Sequence, residues 1–155
     1  MSGAALQPMP SEDERLLVMA LRIYFAEIVP DTPPDPVGVA ADYFGYDGRH
    51  PYWIQRNGAR AGFALAATEP DGCHELAEFT VFPAHRRSGI GQSAAAQLFA
   101  RHPGAWRLGV VAHGGARGFW QTALTGNPRL RDLKTGPGLT PAQSHSYTFR
   151  AEGEI

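Results

Sequence analysis

Apolar residues at Leu16, Leu17, Ala20, Leu21, Tyr24, Phe25 and Ile28 recur three and four positions apart, the spacing that gathers them on one side of a helix. Ser11-Glu12-Asp13-Glu14 ahead of them has the form of a capping box, and Pro30 stops the run, so a helix is predicted between the two signals. Asp31 to Pro36, with three prolines in six residues, reads as a stiff loop leading to a short helix around Val39 to Phe44. At Tyr52 the period changes. Tyr52 to Arg56 and Arg60 to Ala67 read as strands joined at Asn57-Gly58, a pair that tolerates the positive φ of a tight hairpin turn, and Glu69-Pro70-Asp71-Gly72 makes the next turn.

The apolar residues up to Phe82 predict a strand that Pro83 stops. Gly89 and Gly91 open a helix continuing through Ala94, Ala95, Leu98 and Phe99. Trp106 to Ala112 reads as a strand, Gly115 to Leu124 as a helix, and Ser146 to Arg150 as a terminal strand after a loop. Two strands flanking a helix should be parallel neighbours joined by a right-handed crossover, which makes the chain mixed α/β.

The turn between Phe82 and that helix has the chemistry of an anion site. At a helix start four backbone N–H groups lack partners inside the helix, and the macrodipole places partial positive charge there. Glycines let the backbone approach the anion, and Arg86 and Arg87 add charge with bidentate geometry suited to a pyrophosphate. Neither Gly-x-x-x-x-Gly-Lys-Ser/Thr nor Gly-x-Gly-x-x-Gly after a first strand is present, which sets aside a P-loop and a Rossmann turn.

The run Arg86-x-x-Gly89-x-Gly91, with Val81 five residues upstream, resembles motif A of the GNAT superfamily of acetyl-CoA-dependent acetyltransferases. The stretch His113-x-x-Ala116-x-x-Phe119-Trp120 is similar to its second signature, Asn-x-x-Ala-x-x-Phe-Tyr. Specific over residues 73–124, the resemblance implies a mostly antiparallel sheet whose two parallel central strands splay to admit the pantetheine arm, with helices on both faces. It implies acetyl-CoA as donor and no metal, with Val81, Phe82, Arg86, Arg87, Ser88, Gly89, Ile90, Gly91, Gln92, His113 and Trp120 around it. A strand amide at Val81 or Phe82 would meet the oxyanion. Glu75 and Glu78 stand at the two spacings where relatives place a working glutamate, and on a regular strand they would point to opposite faces unless a bulge intervenes.

The tyrosine that many relatives use to protonate the departing thiolate is here Trp120, whose indole cannot release its proton at neutral pH. His113, with an ordinary pKa of about 6.5, and Tyr147 are the remaining candidates. Cys73 has only His74 beside it as a conceivable activator, and the six histidines show no metal-ligand spacing.

Charge is split along the chain. Residues 1–83 hold twelve acids against five arginines, a net of minus seven; residues 84–155 hold three acids against nine bases, a net of plus six. A positive half suits a phosphate-bearing cofactor and a negative half a cationic amine. Nucleic acid is not expected, because the arginines are scattered and the total is minus one. Tyr43, Phe44, Tyr46, Tyr52 and Trp53 with Asp42 and Asp47 form a composition that can enclose an amine, or simply a core. At 155 residues one domain is expected over the whole length. No apolar run approaches the roughly 18 residues of a membrane span. With no signal-peptide pattern and a single cysteine, a soluble cytoplasmic protein without membrane partners is the default.

The expectation is an N-acetyltransferase acting by direct attack in a ternary complex, with a small-molecule or peptide amine as acceptor and a homodimer compatible with it. The alternative is an acyl-CoA-binding sensor or assembly module without turnover.

Overall fold

The first apolar stripe is buried as its spacing demands. In the computed structural model, which describes residues 3–112 and 115–153, helix α1 (Glu14–Ile28) sets Leu17, Leu21 and Phe25 against the sheet almost free of solvent. The capping box does not form. Ser11–Asp13 is a short 3-10 turn, and Asp13 at the N-cap makes no capping bond. Its buried carboxylate instead accepts from the Trp53 indole at 2.9 Å and from Arg60 at 3.2 Å, tying the start of α1 to the following hairpin. A buried carboxylate needs partners, and here the strands supply them. Helix α2 (Pro36–Gly45) begins earlier than the apolar pattern indicates, because Pro36 takes its first position and Asp35 accepts from the Val37 N–H at 3.1 Å.

Seven strands follow the order β1-β2-β3-β4-β5-β7-β6 in one sheet. They are β1 (Ala4–Pro8), β2 (Arg49–Arg56), β3 (Ala59–Thr68), β4 (His74–Val81), β5 (Gly104–Val111), β6 (Leu130–Gly136) and β7 (Gln143–Ala151). Helix α3 (Ile90–Arg101) joins β4 to β5, the parallel pair, and α4 (Ala116–Thr125) follows β5. All other pairings are antiparallel. The two strands missing from the sequence reading are the sheet's edges. Strand β1 buries only Leu6, and β6 is interrupted at Asp132, whose φ of 59° breaks the alternation a strand would show.

Between β2 and β3, Asn57 (φ 52°) and Gly58 (φ 81°) make the expected tight turn. The sheet separates two apolar clusters. One, under α3 and α4, holds Leu98, Phe99, Trp106, Leu108 and Phe149; the other, under α1 and α2, holds Trp53, Phe63 and Leu65.

Strands β4 and β5 pair only from His74 to Leu76 against Trp106 to Leu108, and three imidazoles gather at this closed end. His50 stacks on His102 at 4.3 Å between ring centres, with His74 5.8 Å from His102. The His74 Nε2 lies 3.0 Å from the Pro103 carbonyl, so it carries the proton. The Thr68 hydroxyl then donates to His74 Nδ1 (2.8 Å) and accepts from His50 Nε2 (2.9 Å), while the Tyr52 hydroxyl bonds His102 Nε2 at 2.7 Å. Burial, then the neighbouring imidazoles and Arg101, pulls His102 from 6.5 down to about 4, and burial lowers His50 as well.

A histidine with a depressed folded-state pKa contributes stability that is present above its unfolded value of 6.5 and is lost as pH falls toward 4. The stability advantage of the wild type over His102→Gln, read from urea midpoints, is therefore expected to shrink by roughly 1 to 3 kcal/mol between pH 7 and pH 4. A difference constant across that range would show that His102 does not titrate within it.

Candidate functional site

Beyond Leu76 and Leu108 the parallel strands part. Ala77 has no partner on β3, since Leu65 pairs with Glu78 and Ala66 with Leu76, so a bulge bends β4 where pairing with β5 stops. The diverging edges wall a cleft of about 560 Å³, closed by the start of α3, by Phe119 and Trp120 of α4, and by Tyr24 and Glu27 of α1. Strand edges that lack a neighbour present backbone donors and acceptors to whatever enters.

The anion turn sits at the mouth. Arg87 (φ 62°) and Gly89 (φ 81°) both adopt left-handed backbone, and Gly89 is the N-cap of α3. Nothing lies within 4 Å of a methyl built on Gly89, so only the dihedral calls for glycine there. Gly91 plays a different part from the one its motif position suggests. It is buried, and a methyl there would stand 2.8 Å from Phe119 Cε1, so it serves the packing of α3 against α4. Arg86 is engaged within the protein: Nε donates to the Val81 carbonyl at 2.6 Å, and both terminal nitrogens bond Glu27 at 2.8 Å. That fork holds the Glu27 carboxyl below the usual range. Arg87 is exposed and forms no ion pair among the described residues.

Val81, Arg86, Arg87, Ser88, Gly89, Ile90, Gly91, Gln92 and Trp120 all line the cleft. Phe82 does not. Its amide donates to the Ala61 carbonyl at 2.7 Å and its ring packs near Phe63, on the far side of the sheet. Because amides alternate along a strand, the Val81 N–H then points away from β3, toward the gap. His113 lies outside the described residues; Val111 before it and Gly115 after it line the cleft.

The bulge also decides where the two glutamates point. Glu75 and Glu78 both face a second cavity of about 250 Å³, lined also by Val39, Asp42, Tyr43, Arg49, Ala67, Glu69 and Ala77. The expectation of opposite faces holds only for a regular strand, and the extra residue at Ala77 removes it. Their surroundings differ. Glu75 is held by Arg107, 2.9 Å away across the parallel pair, with Glu69 3.8 Å from the same guanidinium. Glu78 has no ion pair among the described residues. Burial raises its pKa to about 7, against an opposing contribution from the Tyr24 hydroxyl and with a smaller rise from Glu75. Ala77 and Glu78 line both cavities.

Other expectations change. Trp120 is buried and packs edge-on to Phe79 at 5.1 Å and Phe119 at 4.8 Å. Tyr147 lies in the core under α3 and α4 and does not line the cleft. Burial, the largest influence on it, raises the Cys73 thiol, leaving it a poor nucleophile at neutral pH. The aromatic cluster divides: Tyr43 lines the second cavity with Asp42, Tyr46 is exposed, Trp53 is core, and Tyr52 is on the opposite face beside His102. Two cleft residues have no sequence signature. Tyr24 sits in the helical stripe, where it looks like core, and Gln143 lays its side chain into the space a Cβ of Gly109 would occupy. No helix of the described residues is long and apolar enough to cross a membrane, and no cluster among them could hold a metal ion.

Solved structures share this architecture. An acetyltransferase from Thermus thermophilus superposes with a TM-score of 0.73 at 18% identity, covering 97% of this chain and 99% of its own. A diaminobutyrate acetyltransferase from Paenibacillus lautus, solved with L-2,4-diaminobutyric acid and coenzyme A, gives 0.66 at 14% identity over 100% and 99%. The ribosomal-protein-S18-alanine N-acetyltransferase of Escherichia coli gives 0.62 at 13% over 98% and 96%. No curated protein matches the sequence. The model of the acetyltransferase (GNAT) family matches residues 17–124, more than half of the chain, from within α1 to the last turn of α4, and the protein belongs to that family of N-acetyltransferases.

Proposed function

We propose that the chain transfers the acetyl group of acetyl-CoA to a small or peptidic amine by direct attack, with Glu78 as general base. The observation that carries this reading is the position of Glu78 in the wall shared by the two cavities, one suited to the donor and one to the acceptor. A carboxyl whose pKa is about 7 is half ionised at neutral pH, where a general base works best. The residues around the cleft fit the donor: unpaired strand edges for amides, two left-handed residues shaping an anion turn, and an exposed arginine beside it.

Acetyl-CoA supplies the activated acetyl group. Arg87, Ser88 and the first amides of α3 hold the pyrophosphate, while Arg86, locked between Val81 and Glu27, keeps the turn in place. Glu78 takes a proton from the acceptor ammonium, freeing the lone pair that attacks the thioester carbonyl. The Val81 amide donates to the carbonyl oxygen as it gains charge. As the tetrahedral adduct collapses the C–S bond breaks, the nitrogen releases its second proton to solvent, and His113 protonates the thiolate that leaves. The second cavity is lined by residues of the acidic half of the chain, and Asp42, Glu69, Glu75 and Glu78 favour a cation arriving there. The Paenibacillus lautus enzyme, of similar fold and solved with an amino acid bearing a second amine, supports an acceptor of this kind.

Glu78→Gln is expected to lower kcat by about a hundredfold or more while CoA affinity by calorimetry holds. Glu75→Gln, which leaves Arg107 without its main partner, should cost far less turnover. In the wild type kcat/KM should fall as pH drops through about 7, because the base must be unprotonated, and this limb should vanish in Glu78→Gln. Equal losses in both variants, or a fewfold loss in each, would remove Glu78 from the role.

Arg87→Ala is expected to weaken CoA binding about tenfold, the loss of one charge-assisted contact. Gly91→Val is expected to lower Tm first, through the Phe119 clash. A Gly91→Val protein with native Tm and lost CoA binding would return that glycine to the phosphate site.

Trp120→Phe and Trp120→Tyr are expected to have matching turnover and a shared stability loss of about 1 to 3 kcal/mol. A selective rate gain in the tyrosine variant would mean that proton delivery from this position limits the reaction.

A further inference from the structure

The cavity beside Glu78 contains one side chain that the acetyl-transfer reading leaves without a task. Arg49, at the start of β2, lines it and is half-buried, yet among the described residues it forms neither an ion pair nor a side-chain hydrogen bond. Its guanidinium carbon lies over the Tyr43 ring, 5.9 Å from the ring centre. Four carboxylates line the same cavity, so the lack of a partner needs a geometric reason.

Sheet register shows what lies beside Arg49, and the carboxylate on its rung is already taken. Arg49 pairs with Ala67, and Ala67 pairs with Glu75, so the three stand on one rung and share a face. Strands lie about 4.8 Å apart, which puts the Arg49 and Glu75 backbones roughly 10 Å from each other, with only a methyl group between. Glu75 pairs in turn with Arg107 on its far side and gives its carboxylate to that guanidinium at 2.9 Å. Arg49 is left facing the hollow over Ala67. The cavity is thus bipolar, with the base Glu78 at one part of its wall and an uncommitted guanidinium at another.

We infer that Arg49 is a specificity-determining residue that seats the carboxylate of the acceptor over Ala67, so that the acceptor is a small amino acid rather than a simple amine or a diamine. A guanidinium presents a planar fork that matches a carboxylate in two parallel hydrogen bonds. A second cationic group in that position would leave Arg49 without a partner and add a like charge beside it. An amine without any charged tail would leave the guanidinium half-buried and unpaired, as it is now. An occupant with an ammonium toward Glu78 and a carboxylate toward Arg49 satisfies both ends of the cavity. The inference rests on the reading of Glu78 as base and of this cavity as the acceptor site.

The test uses the purified enzyme with acetyl-CoA and follows release of free thiol. Acceptors are offered in matched pairs: α-amino and ω-amino acids of two to six carbons, each beside its carboxamide, with linear diamines of the same length. The wild type is expected to show, for at least one pair, a kcat/KM at least tenfold higher for the acid than for its amide. Arg49→Gln is expected to bring that ratio close to one through a rise in KM for the acid, and Arg49→Lys to restore part of it. Ala67→Leu, which fills the hollow, should raise KM for the same acid. Preference for diamines or amides over acids, or an acid preference that survives Arg49→Gln in folded protein, overturns the carboxylate seat while the transferase reading stands. Absence of transfer to every acceptor by enzyme that binds acetyl-CoA overturns both.

Discussion

The site depends on the short pairing of β4 with β5. Three rungs hold the strands together from His74 to Leu76, and the extra residue at Ala77 then turns β4 aside. A longer ladder would satisfy the backbone groups of Ala77 to Val81 and Gly109 to Val111 within the sheet, leaving no cleft and no amide directed into one. The separated edges are stable because the chain is anchored elsewhere: the imidazole network clamps the closed end, and Arg86 spans the open end from Val81 to Glu27.

The same bulge sets the electrostatics. Glu75 and Glu78 are three residues apart and face one cavity, but among the described residues only the first is in an ion pair. Glu75 remains a structural anion that fixes Arg107. Glu78, desolvated and without an ion pair among the described residues, has its pKa raised to about 7 and so can exchange a proton at neutral pH. Charge pairing and charge deprivation on one strand divide the labour between two identical side chains, and Tyr24 from α1 closes over the one that is deprived.

Glycine in the anion turn has two separate jobs. Gly89 is required by a φ of 81° with open space around it, whereas Gly91 is required by Phe119 at 2.8 Å from any added methyl. One constraint shapes the turn at the mouth of the cleft. The other brings α4 close to α3, and Trp120 with it, over the cleft.

Much of the fold is legible in the amino-acid sequence because its signals are local. The stripe of α1, the Asn57-Gly58 turn, the strand, anion turn and helix from His74 to Arg101, and the parallel crossover all follow from periodicity, turn chemistry and handedness within short windows. The edge strands β1 and β6 escape because an edge buries too little on either face to impose alternation. The glycine turn that opens α3 is legible for the same local reason. The rest of the site arises from contacts across the sheet and between distant segments: Trp53 and Arg60 claiming Asp13, Glu27 claiming Arg86, Ala61 claiming the Phe82 amide, Arg107 claiming Glu75. A sequence states which groups are present and what each can do alone. Which carboxylate keeps a partner and which is left desolvated is decided by register, because a bulge of one residue rotates every side chain beyond it, and that register exists only once the strands have paired.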